Sequence, residues 1–257
     1  MLALIFAAGL GTRLRPLTDT MPKALVPLAG HTLLEYQIRK LKAAGITDIM
    51  VNVHHFPDMI INYLHEHDNF GCNIMISDER DLLLDTGGGL LKAWSTFAPN
   101  TNEPILALNA DILSTIRLED VISHYQKSKI KNQKCSGLLV VKNRQTQRYL
   151  CFDSDHRLIG WTNIATGEVR PSLSTFHFPL STKLAFSGMQ ILSPEVLPLL
   201  RDFATTHGPK FSVIDFYLSA LSENIFLGFE PEGELLDVGK IDHLAEAESF
   251  AQRLKID

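Results

Sequence analysis

The sequence is poor in cysteine, with three in 257 residues: Cys72, Cys135 and Cys151, far apart, odd in number and without a CxxC pair. That spacing excludes a disulfide framework and a cysteine zinc site, and a reducing cytoplasm is the expected location. Long hydrophobic runs are also missing. The apolar stretch LALIFAAG near the N-terminus has no basic leader and is far too short for a membrane span or a cleaved signal peptide. Neither a membrane partner nor processing is expected. Positive charge is scarce too: 24 Lys and Arg stand against 29 Asp and Glu, a net charge of -5, with the cations scattered. Nucleic acid is therefore not an expected partner. There is no Pro/Ser-rich linker, internal repeat or low-complexity tract, and no hexapeptide β-helix repeat of the kind an acyltransferase tail would carry. One domain over residues 1–257 is expected, as a monomer or small homo-oligomer.

What is present is a chain 45% hydrophobic, able to bury a substantial core. Short apolar runs alternate with amphipathic stretches through the first half, the pattern of βαβ units around a mainly parallel sheet, so the fold class is α/β. Strands are expected at Leu2–Ala7, Asp48–Val53, Asn73–Ser77, Ile105–Asn109 and Gly137–Val141. The clearest helix is Thr32–Ala44, where Leu33, Leu34, Ile38 and Leu41 recur at helical spacing and Gly45 supplies a stop. Others are expected at Pro57–His67, Gly88–Phe97 and Leu118–Lys127. After about Val141 shorter strands follow, at Tyr149–Phe152, Leu158–Trp161 and Phe186–Leu192, with two more helices and a closing one at Ile241–Leu254. Residues 1–141 read as a nucleotide-binding half and 142–257 as a substrate-facing half.

The first strand runs into AAGLGTRLRPLTDTMPKALVP. Gly9 and Gly11 leave the backbone free to turn and to present N–H groups to an anion. Thr12, Arg13 and Arg15 add a hydroxyl and two permanent cations, and Lys23, after Pro22, sits in an extended segment able to reach back. The loop reads as a triphosphate cradle. It is not a P-loop, because GxxxxGK[ST] is absent, and the dinucleotide spacing GxGxxG fails at Leu14.

The stretch Ala7 to Gly30 resembles the signature of the sugar-1-phosphate nucleotidyltransferases, GxGTRxxPLTxxxPKxxxP, with Gly9, Gly11, Thr12, Arg13, Pro16, Leu17, Thr18, Pro22, Lys23 and Pro27 in place. The resemblance implies a three-layer α/β/α sandwich with a mainly parallel, Rossmann-like sheet. It implies that Ala7, Ala8, Gly9, Gly11, Thr12 and Arg13 bind the nucleotide triphosphate and that Lys23 sits on phosphate oxygens.

Further along, LLLDTGGGLLKAW places Gly87 to Gly89 at a helix start, where spare N–H groups and a flat backbone would suit a base or sugar ring; the ordinary alternative is a plain loop before a helix. The form DTGGG resembles the segment of the short N-acetylmuramic acid 1-phosphate uridylyltransferases, which adds Asp85, Gly87 and Gly88 to the nucleotide-binding set. In ILALNADIL an apolar strand ends in Asn109 and Asp111. A carboxylate at the carboxyl edge of such a sheet is a natural magnesium ligand or, alternatively, a turn cap. The family pairs that aspartate with a later DxG aspartate on Mg2+, which carries the metal role to Asp111 and Asp237. Two residues depart from the pattern, Ala110 in place of glycine and Lys240 in place of threonine; the first tightens the space beside the metal and the second adds a charge. By the same resemblance Asn109, Ser187 and Gly188 are assigned to the sugar. The family's Glu-Lys-Pro lysine for the sugar phosphate is missing, and Arg144 or Arg148 is the candidate to replace it.

Other residues read as structural. His54, His55, His65 and His67 lack zinc spacing, Trp94 and Trp161 read as core anchors, and Asp78, Glu79 and Asp81 as a solvated loop. The implied reaction joins a nucleoside monophosphate to a sugar 1-phosphate, with Arg13, Lys23 and Asp111 catalytic. UTP with N-acetylmuramic acid 1-phosphate is the expected pair. The rivals are a mannose- or heptose-1-phosphate guanylyltransferase and a nucleotide sensor without turnover. A nicotinamide oxidoreductase is disfavoured by the failed third glycine.

Overall fold

The computed structural model describes residues 1–171 and 182–254. In chain order it begins with β1 (Leu2–Phe6), a short hairpin of β2 (Pro27–Leu28) and β3 (His31–Thr32), α1 (Leu33–Ala43) and β4 (Asp48–Val53). Then come α2 (Pro57–Glu66), β5 (Asn73–Asp78), α3 (Asp85–Phe97), β6 (Ile105–Asn109), β7 (Ile112–Ser114) and α4 (Leu118–Lys131). The second half carries β8 (Cys135–Lys142), β9 (Arg148–Phe152), β10 (Leu158–Asn163), β11 (Glu168–Arg170) and β12 (Thr182–Leu192). It closes with α5 (Val196–His207), α6 (Val213–Ser219), β13 (Ile225–Phe229), β14 (Leu235–Asp237) and α7 (Leu244–Arg253).

The expected α/β sandwich is present. β1 lies between β6 and β4, with β5 beyond β4, all parallel. β12 runs antiparallel beside β6, and β8 and β13 extend the sheet past it. On one face α1, α2 and α4 bury Ile38, Leu41, Ile60, Leu64 and Val121 against Ile5, Val51 and Val140. On the other α3, α5 and α6 bury Leu90, Trp94, Leu200 and Phe216 against Leu4, Met50 and Phe226. A strand covered on both faces is mostly apolar rather than alternating; LALIF is apolar throughout and DIMVNV is so apart from Asp48 and Asn52.

The helix boundaries follow local chemistry. Thr32 caps α1, its side chain accepting from Glu35 N–H at 3.1 Å, and Gly45 with φ +76 ends the turn beyond it. The three glycines do not precede α3 as a loop; they lie inside it, after a start at Asp85. β11 and the short pairs β2–β3 and β7–β14 lie outside the expected strands, since two- and three-residue strands carry too little periodicity to detect; the five-residue β13 lies outside them as well.

A third apolar cluster sets the functional geometry. Leu14 from the first loop, Val26, Leu28 and Tyr36 pack with Leu113 of β7, Val238 just after β14, and Ala247 and Phe250 of α7. Beneath it β14 pairs with β7, Asp237 opposite Ile112. From α1, Gln37 Nε2 donates to Ile112 O at 2.9 Å and Lys40 Nζ to Ser114 O at 2.9 Å. Loop, strand and final helix are thereby held together. Phe250→Ala is expected to lower the unfolding free energy by about 3–4 kcal/mol, read by urea denaturation; a change within about 0.5 kcal/mol, typical of a free surface position, would show that α7 is not part of this cluster.

Candidate active site

Phe6, Asn52 and Asn109 stand abreast at the carboxyl ends of β1, β4 and β6. Strand order reverses beside β1, and crevices of this kind are where open α/β sheets bind ligands. A cavity of about 540 Å³ opens there, lined by Ala7 to Arg13, Lys23, Asn52, Glu79, Asp85, Thr86, Asn109, Asp111 and Gly239, among others. Of the expected nucleotide set, Ala7, Ala8, Gly9, Gly11, Thr12, Arg13 and Asp85 all face it.

Gly11 has φ +63, and a Cβ there would meet Thr18 Cγ2 at 2.8 Å and Lys23 Cβ at 3.1 Å. The turn needs both the left-handed backbone and the missing side chain. Its carbonyl accepts from Thr18 Oγ1 at 2.9 Å, while His55 Nε2 meets Thr18 O at 3.0 Å. His55, read as structural, steadies the loop.

Lys23 is largely buried, and its Nζ donates to Asp111 Oδ2. Asp111 and Asp237 come from facing segments: Val238 N–H donates to Asp111 O at 2.9 Å, one residue along from the Asp237–Ile112 pair. Asp237 Oδ1 is buried and without a hydrogen-bond partner among the described residues. A methyl placed on Gly239 would sit 2.7 Å from that oxygen and 3.0 Å from Arg13 Nη2. Arg13, Lys23 and Asp111 line the cavity, and Asp237, which is not itself part of the lining, lies next to Gly239, which is. Among the described residues no cluster of three or more His, Cys, Asp or Glu is placed to hold a metal by itself. Two carboxylates with one orphaned oxygen suit a hard cation that takes its remaining ligands from phosphates and water.

Several expectations need correction. Gly87 and Gly88 do not line the cavity; their N–H groups both donate to Phe211 O, at 2.9 and 3.2 Å, so none is spare for a ligand. A Cβ at Gly88 would lie 2.0 Å from Pro209 O, and one at Gly87 would lie 2.4 Å from the Phe211 ring. The glycines let segment 209–211 pack onto α3. Ser187 is 1% exposed and donates to Val140 O at 2.7 Å, so its hydroxyl is structural. Gly188 (φ +73) completes a bulge in β12, where a Cβ would meet Asn109 Nδ2 at 2.6 Å. Glu79 is not solvated. It is 1% exposed, and its carboxylate accepts from Asn52 Nδ2 at 2.8 Å and Leu84 N–H at 3.0 Å. Asn52 Oδ1 in turn accepts from Ala7 N–H at 2.8 Å. Burial pushes the Glu79 carboxyl above its usual range, opposed by those hydrogen bonds. Asn52 and Thr86 were missed. The signal for Asn52 was a polar residue inside an apolar strand, MVNV.

A second cavity of about 570 Å³ adjoins the first through Phe6, Asp85, Thr86 and Asn109, and extends to Arg148, Trp161, Arg170, Gly188 and Gln190. Trp161 is therefore a cavity wall as well as a core residue. Arg144 is not part of either cavity's lining; its Nη2 lies 3.4 Å from Phe186 O. No helix among the described residues is long and apolar enough to cross a membrane.

A glycine turn with cations, set at the switch point of a parallel sheet and faced by paired carboxylates, defines a nucleotide-binding α/β protein. Residues 2–253 match the nucleotidyl transferase family, and the chain belongs to it. The chain is 30% identical to the N-acetylmuramate alpha-1-phosphate uridylyltransferase of Neisseria meningitidis serogroup B, over 98% of each. It is 28% identical to the protein of the same name from Caulobacter vibrioides, over 93% of this chain and 91% of that one. In fold it resembles the crystal structure of an apo UDP-glucose pyrophosphorylase, with a TM-score of 0.75 and 17% identity, over 98% and 99% of the two chains.

Glu79→Ala leaves the Asn52 amide and the Leu84 N–H buried without an acceptor. It is expected to cost about 2–3 kcal/mol of stability, measured by urea unfolding, and a neutral result would show that water reaches the pair.

Proposed function

We propose that the protein transfers uridylyl from UTP to N-acetylmuramate 1-phosphate, giving the UDP-sugar and pyrophosphate, with Mg2+ as its cofactor. The observation that carries this is that Arg13, Lys23 and Asp111 line one cavity with the glycine turn, Lys23 bonded to Asp111, while an unpartnered Asp237 oxygen lies behind Gly239 of the same lining. Family membership and the full-length relatives support the reaction class and the substrate pair. The reading divides the chain into a nucleotide half, about 1–141, and a sugar half, about 142–257, in a reducing cytoplasm.

An oxygen of the sugar phosphate attacks the α-phosphorus of the nucleotide, and the bond from that phosphorus to the bridging oxygen breaks, releasing pyrophosphate. The nucleophile is already ionised at neutral pH, so no side chain needs to remove a proton. What the protein supplies is alignment and charge. The bare turn at Gly9 and Gly11 presents the main chain to the triphosphate. Arg13 and Lys23 offset the charge that builds on the departing pyrophosphate. Asp111 and Asp237 would hold magnesium, which neutralises phosphate oxygens when bound. Asn109, at the junction of the two cavities, is placed to orient the incoming sugar phosphate.

Lys23→Ala and Asp111→Asn are each expected to lower kcat/KM by about 10²- to 10³-fold, the size of effect that follows loss of one charge-stabilising group. The assay is pyrophosphate release with the four nucleoside triphosphates against a panel of sugar 1-phosphates, GTP with mannose 1-phosphate included. Near-normal turnover in either variant would refute the assigned roles. Chelation of divalent cations is expected to abolish turnover and added Mg2+ to restore it; activity that persists in excess chelator would remove magnesium from the mechanism.

A further inference from the structure

The second cavity contains polar groups that phosphate chemistry does not use. β9, β10 and β11 lie side by side and antiparallel, with Arg148 opposite Asn163, Asn163 opposite Glu168, and Trp161 opposite Arg170. Because successive side chains point to opposite faces of a strand, these five residues share one face, and all five line the cavity. From β12 comes Gln190, 1% exposed, with neither amide atom hydrogen-bonded among the described residues. A buried amide left unpaired is costly, and a polar ligand in the cavity would relieve it.

The charges here are unequal in what they have left to offer. Arg170 donates to Asp215 Oδ1 at 2.6 Å, lies 3.4 Å from Glu168 Oε1, and covers the Trp161 ring at 4.3 Å. Its charge is engaged by both acids, though its Nε makes no hydrogen bond among the described residues. Arg148 has no side-chain hydrogen bond or ion pair among the described residues. Asp85, also on the wall, lies at the end shared with the phosphate cavity. The neutral Asn163 stands between Arg148 and Glu168 in the register, so an anion arriving at Arg148 meets no bare carboxylate beside it.

Position decides which anion that is. The 1-phosphate must reach the α-phosphorus, so it belongs at the junction lined by Asn109 and Asp85. Arg148 lines only the second cavity and not the one that holds the glycine turn, which leaves it for a part of the sugar other than the 1-phosphate. We infer that Arg148 reads a carboxylate on the sugar ring's substituent while Gln190 bonds its amide or hydroxyl groups, so that the site selects an acidic sugar 1-phosphate. A planar guanidinium fits a carboxylate with two parallel hydrogen bonds. This inference rests on the function proposed above, and it moves Arg148 from the sugar phosphate to another part of the substrate.

The test compares N-acetylmuramate 1-phosphate with N-acetylglucosamine 1-phosphate, the same ring without the lactyl carboxylate, each with UTP. In the native protein the acidic sugar should have the higher kcat/KM. Arg148→Met should reduce the ratio of the two kcat/KM values by about 10- to 100-fold, as expected for a lost charge-assisted hydrogen bond, mainly through KM for the acidic sugar. Arg148→Lys should recover part of the ratio. An unchanged ratio, or an equal fall for both sugars, overturns the role of Arg148 and leaves the uridylyltransferase reading in place. A native protein that turns over no sugar 1-phosphate with UTP overturns both. Circular dichroism and Tm of each variant separate misfolding from lost recognition.

Discussion

The three-residue ladder between β7 and β14 is the constraint on which the site depends. It is short, and two strands of that length do not persist in water alone. Its stability comes from the apolar cluster above it, where Leu14, Val26, Leu113, Val238 and Phe250 exclude water, and from the Gln37 and Lys40 bonds that fasten β7 to α1. Asp111 precedes one strand of the ladder and Asp237 ends the other, and the Val238 N–H bond to Asp111 O fastens the two segments that carry them. A slip of one residue would turn Asp237 to the opposite face.

Behind the loop a second device fixes the floor. The Glu79 carboxylate is held by Asn52 and the Leu84 N–H, and Asn52 holds the Ala7 N–H at the point where β1 becomes the glycine turn. Gly89 is required directly above, since a Cβ there would meet Glu79 Oε1 at 2.8 Å and Asn52 Nδ2 at 2.9 Å. The glycine run therefore does two jobs, both of them packing. Gly87 and Gly88 admit segment 209–211, and Gly89 admits the buried acid and amide. A fully satisfied buried polar group imposes one geometry on its neighbours, which is of use beneath a loop that must present its main chain in one conformation.

Much of this was legible from the residues. The parallel strands β4 and β6 fall at the expected boundaries because stretches covered on both faces are apolar apart from Asp48, Asn52 and Asn109, and turn residues punctuate each run. The loop's ordered glycine, threonine, arginine, proline and lysine, read as a family signature, pointed to the family that residues 2–253 match. What the sequence hid was contact. Glu79 lies among Asp78, Arg80 and Asp81, and nothing in that charged run distinguishes the one acid that turns inward. Ser187 resembled a ligand-binding hydroxyl, yet the β12 bulge points it at Val140 O. Both errors concern which way a side chain faces at an irregular point, where periodicity gives no direction.

The same bulge also explains why the second cavity exists. Up to Gly188, β12 pairs with β9 and the end of β8; beyond it, the strand joins β6 in the main sheet. Two extra residues, Ser187 and Gly188 with φ +73, interrupt the β12 register where it changes partners within the one sheet. The bulge swings β9, β10 and β11 away from the nucleotide layer, and the wedge between them is the cavity that Asn109 and Gly188 border. In the function proposed above, nucleotide and sugar fall to two parts of one continuous sheet joined at one bulged strand. Substitutions on the exposed alternating positions of β9 to β11 can alter the sugar side without disturbing the apolar strands that hold the phosphates. On the proposed reading, such a separation would let one phosphate loop serve different sugars, with the determinants of that choice on the face carrying Arg148, Asn163 and Trp161.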